Sequence, residues 1–159
     1  MLENTNPQNP EKAPMLEPLT TERIRELWSR TYNREGKPDW SHIFPYYHDD
    51  IVFEDSIQRV EGKAAFMAMC ARLAGRCKQL NMDIHTMAAN GREVLFDWTM
   101  VMSFQKYPPT PLHGCTRLTL DADSRIIRQR DYFDLWGTIL NGIPLLRKGY
   151  WKFMHHYFG

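Results

Sequence analysis

The sequence predicts an α+β domain in which a curved antiparallel sheet wraps around N-terminal helices to form a cone. Helical patterns occupy most of residues 20–80, and strand patterns occupy residues 81–134. Asn90-Gly91, the strongest hairpin signal in the chain, joins the first two of these later strands. Sequential antiparallel strands with helices on one face form a layered structure, and a sheet folded around its helices leaves an open mouth.

Composition indicates one globular domain. The chain has 159 residues, of which 43% are hydrophobic and 25% are charged, so it can bury a real core. A net charge of +1, with no run of more than two Lys or Arg residues, argues against nucleic-acid binding. Three cysteines without a CxxC motif indicate reduced thiols. We see neither a secretory leader nor an apolar run that could span a bilayer, and we expect a cytoplasmic protein.

The chain divides into a tail and one domain. Residues 1–19 contain four prolines and little periodicity, which predicts a disordered tail. The domain, residues 20–159, begins with Thr20 as the N-cap of a first helix that ends at Gly36. The apolar residues of this helix repeat with helical spacing: Ile24, Leu27, Trp28 and Tyr32.

Two further helices and a short strand are predicted before residue 81. Asp39 can cap a short helix that runs to about Tyr47, although Pro45 should distort its end. Residues 51–55 form a short strand, whose alternation places Asp55 on the same face as apolar residues. Gly62 opens the longest helical pattern, whose apolar stripe comprises Phe66, Met69, Cys70, Leu73, Cys77 and Leu80.

Four strands are predicted in the second half, over residues 81–89, 93–105, 112–120 and 125–134. The segment 107–111 contains three prolines and is expected to be a rigid connector outside the sheet. Alternation in the second of these strands separates an apolar face from a more polar one. The apolar face, which we expect to line the mouth of the cone, comprises Phe96, Trp98, Met100, Met102 and Phe104.

Two stretches resemble a known family. His48-Asp-Asp-Ile-Val-Phe-Glu-Asp55, followed by Val60-Glu-Gly62 and a long helix, resembles a passage of ketosteroid isomerases and SnoaL-like proteins. Ser124-Arg-Ile-Ile-Arg-Gln-Arg-Asp-Tyr-Phe-Asp-Leu135 resembles the closing strand of limonene-epoxide-hydrolase relatives. The resemblance covers about residues 20–145 and implies the cone-shaped fold of the nuclear transport factor 2-like superfamily, which hosts many functions.

The resemblance implies candidate catalytic residues one position at a time. Asp55 matches the ketosteroid-isomerase base, but the positions of that enzyme's oxyanion hole fall near Ser29 and Thr116, so ketosteroid isomerisation itself is not expected. Asp131 matches one acid of the Asp-Arg-Asp set of the epoxide hydrolases. Trp98 and Met100 stand where the other two groups of that set should be, so limonene-type hydrolysis is not expected either.

These comparisons leave a predicted pocket with two acids, Asp55 and Asp131, as candidate acid/base groups. Each acid could instead be structural, Asp55 as a turn cap and Asp131 as a partner of arginines. SnoaL-type cyclases combine an inward acid with a nearby histidine, for which His113 is the local candidate, although its strand alternation favours the outer face. The other predicted ligand-contacting residues are Phe53, Phe96, Trp98, Met100, Gln129 and Tyr32, although a core role for Trp98 or Tyr32 would look the same.

The leading hypothesis is a cofactor-independent isomerase, cyclase or hydrolase that binds a small hydrophobic molecule. The alternative is a non-catalytic carrier or an interaction module of the same fold, and the fold implies a homodimer through the outer sheet face. An aromatic extension from about residue 145 should pack over the cone mouth or across a dimer interface, with membrane-surface contact as a minority interpretation. The adjacent histidines 155 and 156 lack the spacing of a metal pair, and no metal is expected.

Overall fold

The computed structural model describes residues 16–104, 109–135 and 144–159. Within these ranges, three helices, one short 3-10 turn and six strands follow one another. In order they are α1 (Thr21–Tyr32), the 3-10 turn (Phe44–Tyr46), β1 (Tyr47–Glu54), β2 (Arg59–Glu61), α2 (Lys63–Arg76), β3 (Cys77–Asn90), β4 (Glu93–Phe104), β5 (Thr110–Leu120), β6 (Ile126–Phe133) and α3 (Pro144–Tyr157). The predicted α+β class is confirmed.

The six strands form one mixed sheet in the order β2-β1-β6-β5-β4-β3. Strands β3 to β6 make the predicted antiparallel meander, and Gly91, with a φ of 59°, supplies the left-handed residue that the hairpin between β3 and β4 requires. Strand β1 extends this meander by pairing parallel to β6, with Phe53 opposite Gln129. Sequence reasoning did not foresee that parallel pairing, which brings the early part of the chain beside its closing strand.

Aromatic residues bind the helices to one face of the sheet. Trp28 of α1 packs edge-on against Phe96 of β4, with ring centroids 5.6 Å apart. Phe66 of α2 lies between two side chains of β1, with its centroid 4.7 Å from that of Tyr47 and 5.4 Å from that of Phe53. Aromatic pairs at these distances add to the free energy gained by burying their area. The hydrophobic core therefore lies inside the cone.

Two predicted helices differ from the observed ones. Asp39 does cap a turn, since its Oδ1 accepts the Ser41 N–H at 2.9 Å, but only the 3-10 turn follows and Tyr47 begins β1. Helix α2 ends at Arg76, so Cys77 and Leu80 are buried in β3 instead. A bulge in β3 after Cys77 lets Cys77 and Leu80 both face the core. Two buried residues of this strand are therefore three positions apart, which is a spacing typical of a helix.

Two predicted boundaries also move. Pro111 lies in β5 opposite Val101, so the end of the predicted connector belongs to the sheet. Leu19 is buried in the core, so packing begins just before the predicted start of the domain. The rest of the predicted tail, residues 1–15, and residues 105–108 of the predicted connector lie outside the described residues.

The aromatic C-terminal extension contains helix α3, where no helix was predicted. Over residues 145–159, for which exposure is described, Tyr150 and Met154 are partly buried and the others are exposed. Within the described ranges, no helix has the length and apolarity needed to cross a bilayer.

Candidate active site

Three adjacent strands bring polar side chains together on the inner face of the sheet around Asp131. Strand β6 contributes Asp131 and Gln129, two residues apart and therefore on the same face. Strand β5 places Thr116 directly opposite Asp131. The Trp98 indole of β4 contacts the Thr116 hydroxyl. Asp131 is partly buried, whereas Thr116 and Gln129 are buried.

Thr116 holds one oxygen of the Asp131 carboxyl group. Its hydroxyl donates to Asp131 Oδ1 at 2.8 Å, and it accepts the Trp98 Nε1–H at 2.9 Å. Because the indole can only donate, it occupies an acceptor site of the hydroxyl, and the single hydroxyl proton is directed to the carboxylate.

Gln129 holds the carboxyl group from its own strand. Its Nε2 lies 3.2 Å from Asp131 Oδ1 and 3.3 Å from Oδ2. The Tyr47 hydroxyl donates to Gln129 Oε1 at 2.6 Å, which orients the amide so that its NH2 group faces Asp131. The carboxyl group is thus fixed by donors, and Oδ2 is the less engaged of its two oxygens.

Opposing effects set the protonation of Asp131. Burial raises the pKa of its carboxyl group, the hydrogen bonds from Thr116 and Gln129 lower it, and the negative charge of Asp55 raises it again, to a final pKa of about 6. Near neutral pH the group is therefore mostly ionised but close to its titration point. A carboxylate of this kind is suited to accept a proton and return it.

Tyr32 faces the same region from α1. Its hydroxyl oxygen accepts the Trp40 Nε1–H at 3.3 Å, so its own proton remains to be donated elsewhere. Burial raises the pKa of Tyr32, and the charge of Asp131 adds to the effect. Burial also raises the pKa of Cys70 to about 12, again with Asp131 contributing. Both groups therefore stay protonated beside the carboxylate.

Asp55 directly follows β1 and caps a turn. This is the structural role that the sequence had left open as an alternative. Its Oδ1 accepts the backbone N–H groups of Ile57 at 2.7 Å and Gln58 at 2.8 Å. The carboxylate is nevertheless near enough for its charge to raise the pKa of Asp131. Asp55 thus belongs to the electrostatic surroundings of Asp131 while being held by the turn.

The predicted aromatic lining lies mainly in the core. Phe53, Phe96 and Trp98 are buried, and Met100 is partly buried. Trp98 fits against Gly114 of the neighbouring strand so closely that a β-carbon there would lie 2.4 Å from the ring. These side chains belong to the hydrophobic core, and Trp98 also takes part in the polar network.

His113 is separated from the network. It is exposed on the opposite face of β5, where its Nδ1 lies 3.0 Å from Thr99 Oγ1. The predicted contact between His113 and a ligand beside Asp131 therefore has no support from its position, and the strand alternation that favoured the outer face was the better guide. Among the described residues, no three His, Cys, Asp or Glu side chains come together in a way that could hold a metal ion.

An open groove of about 420 Å³ lies away from this network, between α1 and β3. Its lining is mostly exposed and polar, and comprises Thr21, Glu22, Arg25, Glu26, Ser29 and Met87. It lacks the apolar walls expected of a site for a hydrophobic molecule.

Sequence reasoning missed Tyr47 and misjudged Thr116. The sequence pattern assigned Tyr47 to the end of a short helix. Only the parallel pairing of β1 with β6 brings its hydroxyl to Gln129. Thr116 was considered only as a replaced oxyanion-hole position, although its inward alternation on β5 was a signal that it could reach the acid on the next strand.

Comparison with known families identifies the family of this chain. A model of the SnoaL-like domain matches residues 24–129, and the chain belongs to that family. The resemblance found in the sequence is thereby confirmed. No curated protein matches the chain by sequence.

Solved structures show the same fold. An epoxide hydrolase from M. tuberculosis that is like limonene-epoxide hydrolase is 26% identical, covers 82% of this chain and 98% of its own, and has a TM-score of 0.62. A candidate SnoaL-like polyketide cyclase from Shewanella denitrificans is 19% identical, with coverage of 76% and 96% and a TM-score of 0.62. A protein with a ketosteroid isomerase-like fold from Catenulispora acidiphila, in complex with trimethylamine, is 17% identical, with coverage of 73% and 88% and a TM-score of 0.62.

Proposed function

We propose that the protein is a cofactor-independent acid–base enzyme in which Asp131 removes a proton from a small hydrophobic substrate, or from a water molecule that attacks it. The observation that carries the proposal is the environment of Asp131. Hydrogen-bond donors fix its carboxylate, while burial keeps its pKa at about 6. A fixed base with a pKa near the working pH is what proton transfer requires.

The roles of the neighbouring groups follow from their hydrogen bonds. Thr116 and Gln129 position the carboxylate and leave Oδ2 as the atom that accepts the proton. As the C–H or O–H bond breaks, negative charge develops on the substrate, and a donor near an oxygen there lowers the barrier. Tyr32 is our candidate for this donor, since its hydroxyl stays protonated and lies within the electrostatic influence of Asp131.

Tyr32 also bears on the oxyanion hole that the sequence had left in doubt. The family resemblance places a tyrosine of the first helix in that role, and Ser29 occupied the matching position. Tyr32 lies on the same helix one turn further along, and its hydroxyl is beside Trp40 in the interior. A rebuilt site with Tyr32 and Asp131 is therefore compatible with deprotonation next to a carbonyl group.

A non-catalytic carrier remains the second candidate. It is favoured by the hydrogen bonds that tie Asp55 to its turn, which leave Asp131 as a single acid, and by the apolar Trp98 and Met100. A homodimer through the outer sheet face, which includes the exposed Leu95 and Tyr132, also stays a prediction. Both candidates share an apolar ligand, and turnover distinguishes them.

Substitution of Asp131 tests the proposal. After native mass spectrometry has identified any ligand that copurifies, the protein is assayed with that compound, with a β,γ-unsaturated ketone and with an aromatic epoxide. Asp131→Asn should lower turnover by about 10²–10⁴-fold, because the base is lost while the shape of the side chain is kept. Asp123→Asn, in the exposed turn after β5, is the matched acid-to-amide control and should leave turnover unchanged.

Equal turnover by wild type and Asp131→Asn would refute the assignment. Ligand binding without turnover of any of these compounds by the wild type would favour the carrier.

A further inference from the structure

Helix α3 (Pro144–Tyr157) is amphipathic. At 100° per residue, one side carries apolar residues and the other carries basic ones. The apolar side comprises Leu146, Tyr150, Phe153, Met154 and Tyr157, while the basic side comprises Lys148, Lys152, His155 and His156. Two apolar residues lie outside the apolar side, Leu145 among the basic residues and Trp151 at the border between the two sides. Arg147 lies on the apolar side near the helix start, where a long side chain can extend its charge toward water.

The described chain covers only part of the apolar side of this helix: Tyr150 and Met154 are partly buried, and the aromatic residues toward its end are exposed. Phe153 is 53% exposed and Tyr157 is 65% exposed, and Phe158, just after the helix, is 75% exposed. An ordinary surface helix covers such residues against a core, so a continuous exposed group of aromatics marks an interaction surface.

Charge indicates what covers this surface. Residues 144–159 contain three Lys or Arg residues and no Asp or Glu. The occupant should therefore combine an apolar layer with negative charge. A second copy of α3 offers the apolar side but carries the same three cations, whereas the surface of an anionic bilayer offers both properties.

We propose that α3 binds the surface of an anionic lipid membrane. Its 14 residues span about 21 Å, which is too short to cross a bilayer but long enough to lie in the interface. The aromatic side enters the boundary between headgroups and acyl chains, and Lys148 and Lys152 remain at the headgroups. This placement brings the domain to the phase in which hydrophobic molecules dissolve.

Vesicle flotation with the full chain tests the proposal, using phosphatidylcholine vesicles with and without about a third phosphatidylserine. We expect binding to the anionic vesicles. Phe153→Ser should weaken it about tenfold or more, because a large apolar side chain no longer enters the interface. Lys148→Gln and Lys152→Gln should each weaken it about fivefold, since one basic residue contributes about 1 kcal/mol at such a surface.

Two controls accompany these variants. Ile57 is as exposed as Tyr157, at 65%, but lies in the turn after β1, so Ile57→Ser should leave vesicle binding unchanged. Asp131→Asn should also bind fully, and this separates failure of the lipid surface from failure of the proposed catalysis.

Three results would overturn the proposal. The first is the lack of binding to anionic vesicles. The second is an equal loss of binding in Ile57→Ser and Phe153→Ser. The third is a chain that is dimeric without lipid and becomes monomeric on Phe153→Ser, which would identify a second copy as the occupant.

Discussion

The raised pKa of Asp131 predicts that this residue makes the protein less stable as the pH rises. In the folded protein the pKa is about 6, compared with an ordinary value of 3.8. The folded state therefore binds the proton more tightly than the unfolded chain does. Its contribution to the free energy of unfolding is fully present below about pH 4 and is lost as the pH rises through about 6.

The size of this effect follows from the same shift. The two pKa values differ by about two pH units, and each unit corresponds to 1.36 kcal/mol, which gives at most about 3 kcal/mol. Asp131→Asn removes the ionisation but keeps an oxygen that can accept from Thr116 and Gln129. The variant should therefore match the wild type near pH 4 and be more stable by about 1–3 kcal/mol near pH 8.

Urea unfolding followed by tryptophan fluorescence, at about pH 4, 6 and 8, measures this difference. Other groups titrate over the same range, but they are common to both proteins and cancel in the comparison. Asp123→Asn controls for the loss of one negative charge and should not gain stability toward high pH. If the free energies of unfolding of wild type and Asp131→Asn changed equally with pH, folding would not raise the pKa of Asp131, and the prediction would be refuted.

Two further substitutions test the packing and hydrogen bonds around the acid. Thr116→Val should raise the pKa of Asp131 by about one pH unit. A hydrogen bond to a charged group contributes about 1.5–3 kcal/mol, and the partial exposure of Asp131 reduces that contribution. A carbon-13 NMR titration of the carboxyl group measures the pKa. Gly114→Ala should lower the free energy of unfolding by about 1–3 kcal/mol, because the added β-carbon meets the Trp98 ring at 2.4 Å and the Tyr132 carbonyl oxygen at 2.8 Å. Urea unfolding measures that loss.

Each of these variants has a matched control. Thr119→Val removes a hydroxyl three residues along the same strand that donates to Glu93 instead, and it should leave the pKa of Asp131 in place. Gly75→Ala adds a β-carbon on α2 with no neighbour within 4 Å, and it should be neutral or stabilising. If Gly75→Ala lowered the free energy of unfolding as much as Gly114→Ala does, the steric explanation would be contradicted. If Thr116→Val left the pKa of Asp131 unchanged, the hydrogen-bond explanation would be contradicted.

Strand alternation was the most reliable guide from sequence to site. It placed Trp98 on the inner face of its strand, and in the structure the Trp98 indole joins Thr116 and Asp131 in one network. The same alternation favoured the outer face for His113, where the structure places it. Alternation depends only on the backbone period of two, which local sequence displays directly.

Other features depended on contacts that no local pattern reveals. Tyr47 reaches the network only through the parallel pairing of β1 and β6, and a helical spacing of apolar residues concealed that strand. For Asp55 the inward face was predicted, but a carboxylate at a strand end can equally cap the following turn, and it does so here. Helix α3 carries apolar residues at helical spacing that were interpreted only as an aromatic extension.

The parallel pairing of β1 with β6 also has a kinetic consequence. The hydrogen bond between Tyr47 and Gln129 joins residues 82 positions apart, whereas the antiparallel hairpins of the meander join near neighbours. Closing so long a loop lowers conformational entropy before any stabilising contact has formed, so non-local pairings form slowly. The meander can thus assemble while Gln129 still lacks its tyrosine, and the carboxylate is held in its final orientation only when the two ends of the fold meet. We therefore expect the completion of the site to be a late event of folding.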